Sequence, residues 1–292
     1  MHKSGFVTII GNPNVGKSTF LNNIIGENIS IISDKAQTTR HRLLGILNAD
    51  DFQIIFTDTP GIIKTKYELQ SAMMSFVKKS LEDSDVIIYI VSNDKKDILN
   101  EVIHDLIKKT KLKLFLLLNK VDLMTQEEVR NDLDFWQKKY NPYKILPISA
   151  LNNYNLDNLL MALKEVLPKS PPYFPKDSLT DRTVRFIVSE IIREKIFKRY
   201  EQEIPYSSEV VVEEYKEKEN IVHISCIIYI ERESQKGIII GKNGSALKSL
   251  GISSRKSIQN FIGKKVFLAF NVKVLKDWRR KKQQLKKLGY IN

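Results

Sequence analysis

A glycine-rich octapeptide near the start of the chain has the residue types that bind phosphate groups. It reads Gly11-Asn12-Pro13-Asn14-Val15-Gly16-Lys17-Ser18 and fits the pattern G-x-x-x-x-G-K-[ST]. Its glycines let backbone N–H groups turn toward an anion. The lysine can then reach the β- and γ-phosphates of a nucleotide, and the serine hydroxyl can bind Mg²⁺. The segment predicts a nucleotide-phosphate site, which we extend to the following Thr19.

The residues on either side favour this interpretation over a chance turn. Gly5–Ile10 predicts a short buried strand before the loop. Thr19–Ile25 has apolar residues at helical spacing and ends at Gly26, so it predicts a helix after the loop. The N-terminus of that helix would add its positive end at the phosphate site.

Two further segments could complete a metal site beside the phosphates. The loop residues Gln37-Thr38-Thr39-Arg40 offer threonine hydroxyls that could bind Mg²⁺ when a γ-phosphate is present, although an ordinary solvated loop is the simpler interpretation of this stretch alone. Phe52–Thr57 predicts a strand that ends in Asp58-Thr59-Pro60-Gly61. The aspartate could hold Mg²⁺ through water, and the Gly61 N–H could bind a γ-phosphate. This tetrapeptide is also a good turn sequence, but its distance behind the octapeptide favours the metal role.

A third set of residues predicts selectivity for guanine. In Asn119-Lys120-Val121-Asp122 the aspartate could accept two N–H groups from the edge of guanine, whereas adenine would leave the carboxylate unpaired. Asn119 could bind the Hoogsteen edge of the base, and the stem of Lys120 could pack over the ring. An Asx turn is the alternative interpretation. In Ser149-Ala150-Leu151, the Ala150 N–H could bind the guanine O6.

Strands and helices alternate along this half of the chain, as in an α/β fold. Such alternation predicts a three-layer P-loop NTPase domain with a mostly parallel sheet and the ligand at the carboxyl ends of the strands. The other predicted strands are Leu43–Leu47, Asp85–Ser92, Lys113–Leu118 and Lys144–Ile148, and the other predicted helices are Leu99–Thr110, one through Val129, Leu133 and Trp136, and Leu156–Leu167.

A proline-rich stretch, Ser170–Pro175, separates this domain from a second one. The predicted organisation is a GTPase-type domain at 1–169, a linker at 170–182, an α+β domain at 183–275 and a basic tail at 276–292. The predicted elements of the second domain are a helix at Thr183–Tyr200, a hairpin of strands Glu209–Tyr215 and Ile221–Ile230, helices Ser245–Leu250 and Ser253–Ile262, and a strand at Lys265–Val274.

The tetrapeptide Gly241-Lys242-Asn243-Gly244 lies between helices of the second domain. A G-x-x-G sequence alone is usually a plain turn. The order α-β-β-α-[G-x-x-G]-α-β and the basic surroundings favour instead a type II KH domain, whose G-x-x-G loop clamps a single-stranded nucleic acid. The residues predicted to contact RNA are Gly241, Lys242, Asn243, Gly244, Lys248, Arg255 and Lys256.

The charge distribution indicates a polyanionic partner. The chain has 47 Lys and Arg against 34 Asp and Glu, a net charge of +13, and from Arg232 to the end 16 basic residues face only two acidic ones. The partner could be nucleic acid or an acidic membrane surface. The tail Lys276–Leu288 predicts a very basic helix, which is either a solvated face or a set of phosphate contacts to RNA or anionic lipid.

The single cysteine, Cys226, lies in an apolar strand pattern and predicts a buried side chain in a reducing compartment. The first residues, Met1–Ser4, lead directly into the first strand and leave no room for a signal peptide. The apolar runs, such as Leu112–Leu118, are too short to span a bilayer. We therefore expect a cytosolic protein that could contact a membrane peripherally.

The order of these motifs resembles the bacterial Era GTPases, and the resemblance covers essentially the whole chain. Leu179–Arg182 and Ser189–Lys195 also resemble the domain junction of that family. The resemblance implies a GTP-hydrolysing switch with GTP/GDP and Mg²⁺ as cofactors. It would bind 16S rRNA near its 3′ end during maturation of the 30S subunit, with the KH domain gripping a single-stranded segment and the GTPase domain setting when it can do so. Family members are also reported at the inner face of the cytoplasmic membrane.

By the same analogy Thr39 is our first choice for the Mg²⁺-sensing threonine, with Thr38 second. The predicted metal residues are thus Ser18, Thr39 and Asp58. Ile62 stands where Ras-like enzymes have the glutamine that orients water, which predicts slow intrinsic hydrolysis. Asn14 stands where K⁺-activated relatives place a cation ligand, so K⁺ stimulation is a hypothesis.

Two alternatives remain at this point, and neither demands an oligomer. The KH domain could be a constitutive RNA anchor with a structural nucleotide. The chain could instead be a membrane-associated regulatory GTPase that uses the basic tail on anionic lipid.

Overall fold

The computed structural model describes residues 1–35, 37–63, 65–93, 104–105, 107–108 and 110–291. The chain divides into two compact units. The first comprises Met1–Lys66 and Gln70–Asp181, and the second comprises Tyr67–Leu69 and Arg182–Asn292. The finer division into a linker and a basic tail stays a prediction.

A six-stranded sheet forms the centre of the first unit, in the order β2-β3-β1-β4-β5-β6. Strand β2 is antiparallel to β3 and the other neighbours are parallel, which confirms the predicted mostly parallel sheet. Every residue of β4 is buried, as expected for an apolar strand inside a sheet of this kind. The strands are β1 Lys3–Ile10, β2 Leu43–Asn48, β3 Phe52–Asp58, β4 Val86–Val91, β5 Lys113–Leu118 and β6 Lys144–Pro147.

Four helices that lie wholly or mainly in the first unit are described along their whole length: α1 Lys17–Ile25, α2 Glu68–Glu82, α3 Gln126–Tyr140 and α4 Leu156–Val166. A capping box between Thr125 and Glu128 begins α3. Helix α2 is not among the predicted elements, although Met74, Val77 and Leu81 form its buried stripe. Most of the predicted helix Leu99–Thr110 lies outside the described residues. Of that range, residues 104, 105, 107 and 108 are helical.

The second unit is an α+β fold whose sheet has the order β7-β8-β9. Strands β7 and β8 form the predicted antiparallel hairpin, and β9 is parallel to β8. One face of the sheet packs against helices, with Cys226 of β8 fully buried in that core. The elements are α5 Val184–Arg199, α6 Ile204–Ser207, β7 Glu209–Glu217, β8 Ile221–Ile230, α7 Glu233–Ile240, α8 Ser245–Ile262 and β9 Lys265–Val274.

Two predictions for the second unit are wrong in detail. The predicted helices Ser245–Leu250 and Ser253–Ile262 are one continuous helix, α8. No proline interrupts the stretch between them, and Leu250, Ser254 and Ile258 continue a single buried stripe at helical spacing. Gly251 is therefore an interior helix residue and not a break.

The basic tail is not the continuous helix predicted at Lys276–Leu288. It has a 3₁₀ turn at Trp278–Arg280 and then a short helix, α9, at Lys282–Lys287. Trp278 and Tyr290 are buried, and the Trp278 indole N–H donates to the Ser207 carbonyl at 2.9 Å. Burial of these anchors bends the tail back onto its own unit, while most of its cationic side chains stay exposed.

In the part of the chain described, we find no helix with the length and apolar character needed to cross a membrane.

Candidate nucleotide site and G-x-x-G loop

The loop between β1 and α1 has a conformation that only glycine suits at two positions. Gly16 has φ 98°, and a Cβ there would lie 2.3 Å from the Asn119 Nδ2 atom. A Cβ on Gly11 would lie 2.4 Å from the Ile90 carbonyl oxygen. The backbone therefore passes close to β4 and to the residue that follows β5, as the phosphate-binding interpretation requires.

Lys17 places its ammonium group inside this loop. The side chain is buried, and its Nζ atom donates to the carbonyl oxygens of Gly11 at 3.1 Å and Asn12 at 2.7 Å. The loop thus holds a desolvated positive charge beside the N-terminus of α1. This arrangement would attract the phosphates of a nucleotide.

The three predicted metal residues come together from three separate elements. The hydroxyls of Ser18 and Thr39 lie 3.1 Å apart, and the Ser18 hydroxyl donates to Asp58 Oδ2 at 3.1 Å. Asp58 is fully buried, and its Oδ1 atom has no hydrogen-bond partner. Burial raises the pKa of Asp58, whereas the Lys17 charge and the hydroxyl hydrogen bonds lower it.

These donors fit Mg²⁺ bound together with phosphate. Mg²⁺ prefers oxygen ligands and is usually held by one or two carboxylates plus the phosphates of a substrate. Within the described residues no group of three or more His, Cys, Asp or Glu side chains could hold a metal ion. The orphaned Oδ1 of Asp58 is a polar atom that a metal-bound water could satisfy.

The geometry separates the two candidate threonines. Thr38 is buried, and its hydroxyl donates to the Lys35 carbonyl at 2.6 Å within its own loop. Thr39 instead faces Ser18, so the structure favours our first choice for the metal-sensing threonine. Gln37 has a left-handed backbone, with φ 61°, and Arg40 is buried.

The segment after β3 packs against the phosphate loop. The Thr59 hydroxyl donates to the Ile9 carbonyl at 2.7 Å, and a Cβ on Gly61 would lie 3.0 Å from Pro13. Ile62 is buried in the core of the first unit, and its N–H donates to the Gly11 carbonyl at 3.2 Å. The side chain of Ile62 therefore packs in the core and does not line the cleft.

Asn119 links the phosphate loop to the predicted base-binding loop. Its Nδ2 atom donates to the Val15 carbonyl at 2.7 Å, and its Oδ1 atom accepts the Ala150 N–H at 2.9 Å. Both groups of the amide thus bond to backbone, so base contacts by Asn119 and Ala150 stay predictions. Asp122 is exposed at the cleft, next to Lys120 with its left-handed backbone.

One cleft of about 520 Å³ unites these segments. The predicted residues that line it are Pro13, Asn14, Gly16, Lys17, Ser18, Thr19, Gln37, Thr38, Thr39, Gly61, Asn119, Lys120, Asp122 and Ala150. The predicted residues that do not line it are Gly11, Asn12, Val15, Arg40, Asp58, Thr59, Pro60 and Ser149. Leu123 and Leu151 also line the base end. No residue pattern singled out Leu123, because an exposed leucine in a loop carries no signal of its own.

In the second unit, the G-x-x-G loop lies between α7 and α8. Gly241 has φ 73°, and a Cβ there would lie 2.6 Å from the Ala246 Cβ, so the loop turns tightly against α8. Gly244 also has a positive φ, 76°, but nothing lies within 4 Å of a Cβ built on it. The backbone at Gly244 is therefore open to a close approach by another chain.

The predicted RNA-contacting cations follow this loop along α8. Lys248, Arg255 and Lys256 are exposed, and their spacing places them on one stripe of the helix. Ile252 lies on the same stripe and is 54% exposed. The loop and this stripe form a basic surface with an apolar residue, which suits an unpaired nucleic-acid strand.

Comparison with known proteins covers both units. Residues 6–120 match the family model described as a 50S ribosome-binding GTPase, and residues 203–279 match the KH domain model. A variant of Aquifex aeolicus Era bound to GDP·AlF₄⁻ has a TM-score of 0.95 and 39% identity, over 99% of this chain and 100% of that chain. Era in complex with MgGDPNP and nucleotides 1506–1542 of 16S ribosomal RNA has a TM-score of 0.96 and 38% identity, over 100% of both chains.

Proposed function

This chain belongs to the Era family of GTPases, and from that premise we propose that it is a GTP-gated factor that binds 16S rRNA near its 3′ end. It hydrolyses GTP to GDP and phosphate and acts in maturation of the 30S subunit. The observation that carries the proposal is the single cleft in which the phosphate loop, the Ser18–Thr39–Asp58 cluster and the Asn119–Asp122 turn meet.

In this proposal the segment Gly11–Thr19 holds the phosphates, with the buried Lys17 ammonium beside the β- and γ-phosphates. Ser18 and Thr39 bind Mg²⁺ through their hydroxyls, and Asp58 holds it through water. When bound, Mg²⁺ neutralises charge that develops on the phosphates. The Thr39 hydroxyl lies 3.1 Å from that of Ser18, so in this proposal Thr39 reports the presence of a γ-phosphate through the metal that the two hydroxyls share.

Hydrolysis needs a water molecule in line with the γ-phosphate. Ile62 is buried and cannot orient that water, so we infer that backbone groups or a partner do so, and that intrinsic hydrolysis is slow. Asn14 has a left-handed backbone, and its Nδ2 atom donates to the Asp34 carbonyl at 2.6 Å. This bond uses the amide nitrogen of Asn14, so its Oδ1 oxygen is the atom that would bind K⁺ in this proposal. Equal GTPase rates in KCl and NaCl would argue against it.

RNA binding belongs to the KH unit in this proposal. The G-x-x-G loop grips a single-stranded segment, and Lys242, Lys248, Arg255 and Lys256 contact its phosphates. If these four cations neutralise about four phosphates, the binding constant should fall roughly 50-fold between about 50 and 200 mM salt, since each phosphate contact contributes a slope of about −0.7 on a log–log plot.

The test is equilibrium binding of the full chain to single-stranded 16S rRNA from the 3′ end, with GDP or a non-hydrolysable GTP analogue. Tighter binding in the GTP form supports the gated switch. Gly244→Asp should abolish this tighter RNA binding, because a side chain and a negative charge then occupy the open backbone position. Gly263→Asp is the matched control, since Gly263 has φ 74° and equally open space at the other end of α8.

Equal affinity in both nucleotide states would contradict gating and leave a constitutive RNA anchor. A large-subunit rRNA fragment is the competitor, because the description of the matched GTPase family names the 50S subunit. Preference for that competitor would refute the 16S assignment.

Finer parts of the proposal concern location and assembly. We propose a monomer of the cytoplasm that acts on the 30S subunit. The buried, free thiol of Cys226 supports the reducing compartment in this proposal. Peripheral contact with the inner face of the membrane would use the exposed cations of the tail. Binding to anionic vesicles that survives Gly244→Asp would favour that contact, and absence of vesicle binding would refute it.

A further inference from the structure

Asp58 is held by a hydroxyl that lies outside every motif of the nucleotide site. The Ser30 hydroxyl donates to Asp58 Oδ2 at 2.8 Å, which is shorter than the 3.1 Å bond from Ser18 to the same atom. Ser30 belongs to neither a helix nor a strand and follows α1 by five residues. A serine in such a segment carries no functional signal in the sequence.

An asparagine of α1 fixes the backbone that carries Ser30. Asn22 is buried, and its Oδ1 atom accepts the N–H groups of Ile29 at 3.1 Å and Ser30 at 2.9 Å. Its Nδ2 atom donates to the Ser30 carbonyl at 2.8 Å. Two of these three hydrogen bonds hold both backbone groups of Ser30, which leaves its hydroxyl to reach Asp58.

The bonds from Ser18 and Ser30 determine the orientation of the carboxylate. Both hydroxyls donate to Oδ2, so the other oxygen, Oδ1, is the one left without a partner in a fully buried group. In the proposed bound state the Ser18 oxygen also binds the metal. Ser30 is not a proposed metal ligand, so its hydrogen bond can hold Asp58 in one orientation with or without the metal.

We propose that Ser30 is a positioning residue for the Mg²⁺ site, and that Asn22 acts through Ser30 by clamping its backbone. This inference rests on the proposed function, because it concerns the same metal and nucleotide. Groups that orient a metal-binding residue commonly change metal affinity by about 10- to 100-fold when they are removed. Loss of the Ser30 hydroxyl should therefore weaken Mg²⁺ binding while leaving the phosphate loop intact.

The experiment measures release of a fluorescent, non-hydrolysable GTP analogue from the full chain, in EDTA and over a Mg²⁺ titration. For Ser30→Ala we expect a release rate in EDTA equal to that of the parent, and a Mg²⁺ concentration for half-maximal slowing raised about tenfold. Ser30→Thr keeps a hydroxyl and should restore the parent midpoint. Asn22→Ala should shift the midpoint in the same direction as Ser30→Ala.

Ser33→Ala is the matched control, because the Ser33 hydroxyl accepts the Lys35 N–H at 3.2 Å in the same segment and does not contact Asp58. Its midpoint should equal that of the parent. An unchanged Mg²⁺ midpoint in Ser30→Ala would overturn the inference. Nucleotide release that is faster by the same factor in EDTA and in Mg²⁺ would also overturn it, because such a change indicates a merely structural role for Ser30. If Mg²⁺ does not slow release from the parent, the proposed metal role itself is wrong. The Ser30 variants decide the question even if Asn22→Ala fails to fold.

Discussion

The Asn119 side chain joins the phosphate loop to the base-binding loop, and its removal should destabilise the whole nucleotide site. In the structure its amide donates to the Val15 carbonyl at 2.7 Å and accepts the Ala150 N–H at 2.9 Å. Val15 is 3% exposed and Ala150 is 1% exposed. In Asn119→Ala both backbone groups stay in place and lose these partners.

The size of the effect follows from the cost of an unsatisfied buried polar group, which is about 1–3 kcal/mol. Two such groups give about 2–6 kcal/mol if nothing replaces the amide. Water can enter from the adjoining cleft and form hydrogen bonds with these two backbone groups. We therefore expect a destabilisation at the lower end of this range, about 2–3 kcal/mol. The deleted side chain would also leave a space beside Gly16, whose backbone it contacts.

Urea unfolding without nucleotide measures this loss. The chain has two tryptophans, Trp136 in the first unit and Trp278 in the second. In a Trp278→Phe background the remaining tryptophan reports on the first unit alone. With a slope of about 2 kcal/mol per molar urea, the midpoint of Asn119→Ala should fall by about 1 M or slightly more.

The matched control is Asn158→Ala in the same background. Asn158 is exposed, and its amide donates only to the neighbouring Asn155 side chain at 2.7 Å. Its free energy of unfolding should change by no more than about 0.5 kcal/mol. The urea midpoint should therefore stay within about 0.25 M of the parent midpoint. If Asn119→Ala shifts the midpoint no more than this control does, the two hydrogen bonds do not hold the loops together and our reasoning about the site is refuted.

Three further changes test other parts of the molecule. Asp122→Asn should weaken GTP binding about 10- to 100-fold and favour xanthine nucleotides in competition assays, because hydrogen bonds to a charged group contribute about 1.5–3 kcal/mol; unchanged selectivity would contradict the base assignment. Gly241→Ala should lower the melting temperature, because its Cβ would lie 2.6 Å from that of Ala246, whereas Gly237→Ala, in the open interior of α7, should raise it. Burial raises the pKa of the Cys226 thiol to about 12 from an ordinary 9.0, so its contribution to stability is complete below about pH 9 and is lost as the pH rises toward 12. Iodoacetamide at pH 8 should accordingly modify Cys226 only after urea unfolds the chain, and rapid labelling of the folded chain would contradict its burial.

Local patterns predicted most of the elements around the site. The strand before Gly11 and the helix after Ser18 form where the sequence predicts them. Their signals, a short apolar run and apolar residues at helical spacing that end at a glycine, can be read from a few neighbouring residues. Helix α2 was missed because its polar residues outnumber the apolar stripe that packs inward. Helix α8 was predicted as two helices, one ending at Leu250 and one beginning at Ser253, whereas its buried stripe continues through the residues between them.

The tail shows how tertiary contacts override composition. Its lysines and arginines indicate a solvated basic helix, but Trp278, Leu285 and Tyr290 are buried in the second unit. Asp277 accordingly adopts a left-handed backbone and a short turn replaces the first part of the helix. A helix propensity of a few tenths of a kcal/mol per residue cannot compete with burial of two aromatic side chains.

The sequence by itself determined the fold class, the order of the motifs and the chemistry each motif could perform, because glycine turns, capping residues and buried runs act over a few neighbouring positions. Only the tertiary structure decided which hydroxyls meet Asp58. It placed Thr39 beside Ser18, turned Thr38 into its own loop and brought Ser30 to the carboxylate. These contacts join segments far apart in the chain, and their distances depend on how the sheet and α1 pack together, which no local pattern encodes.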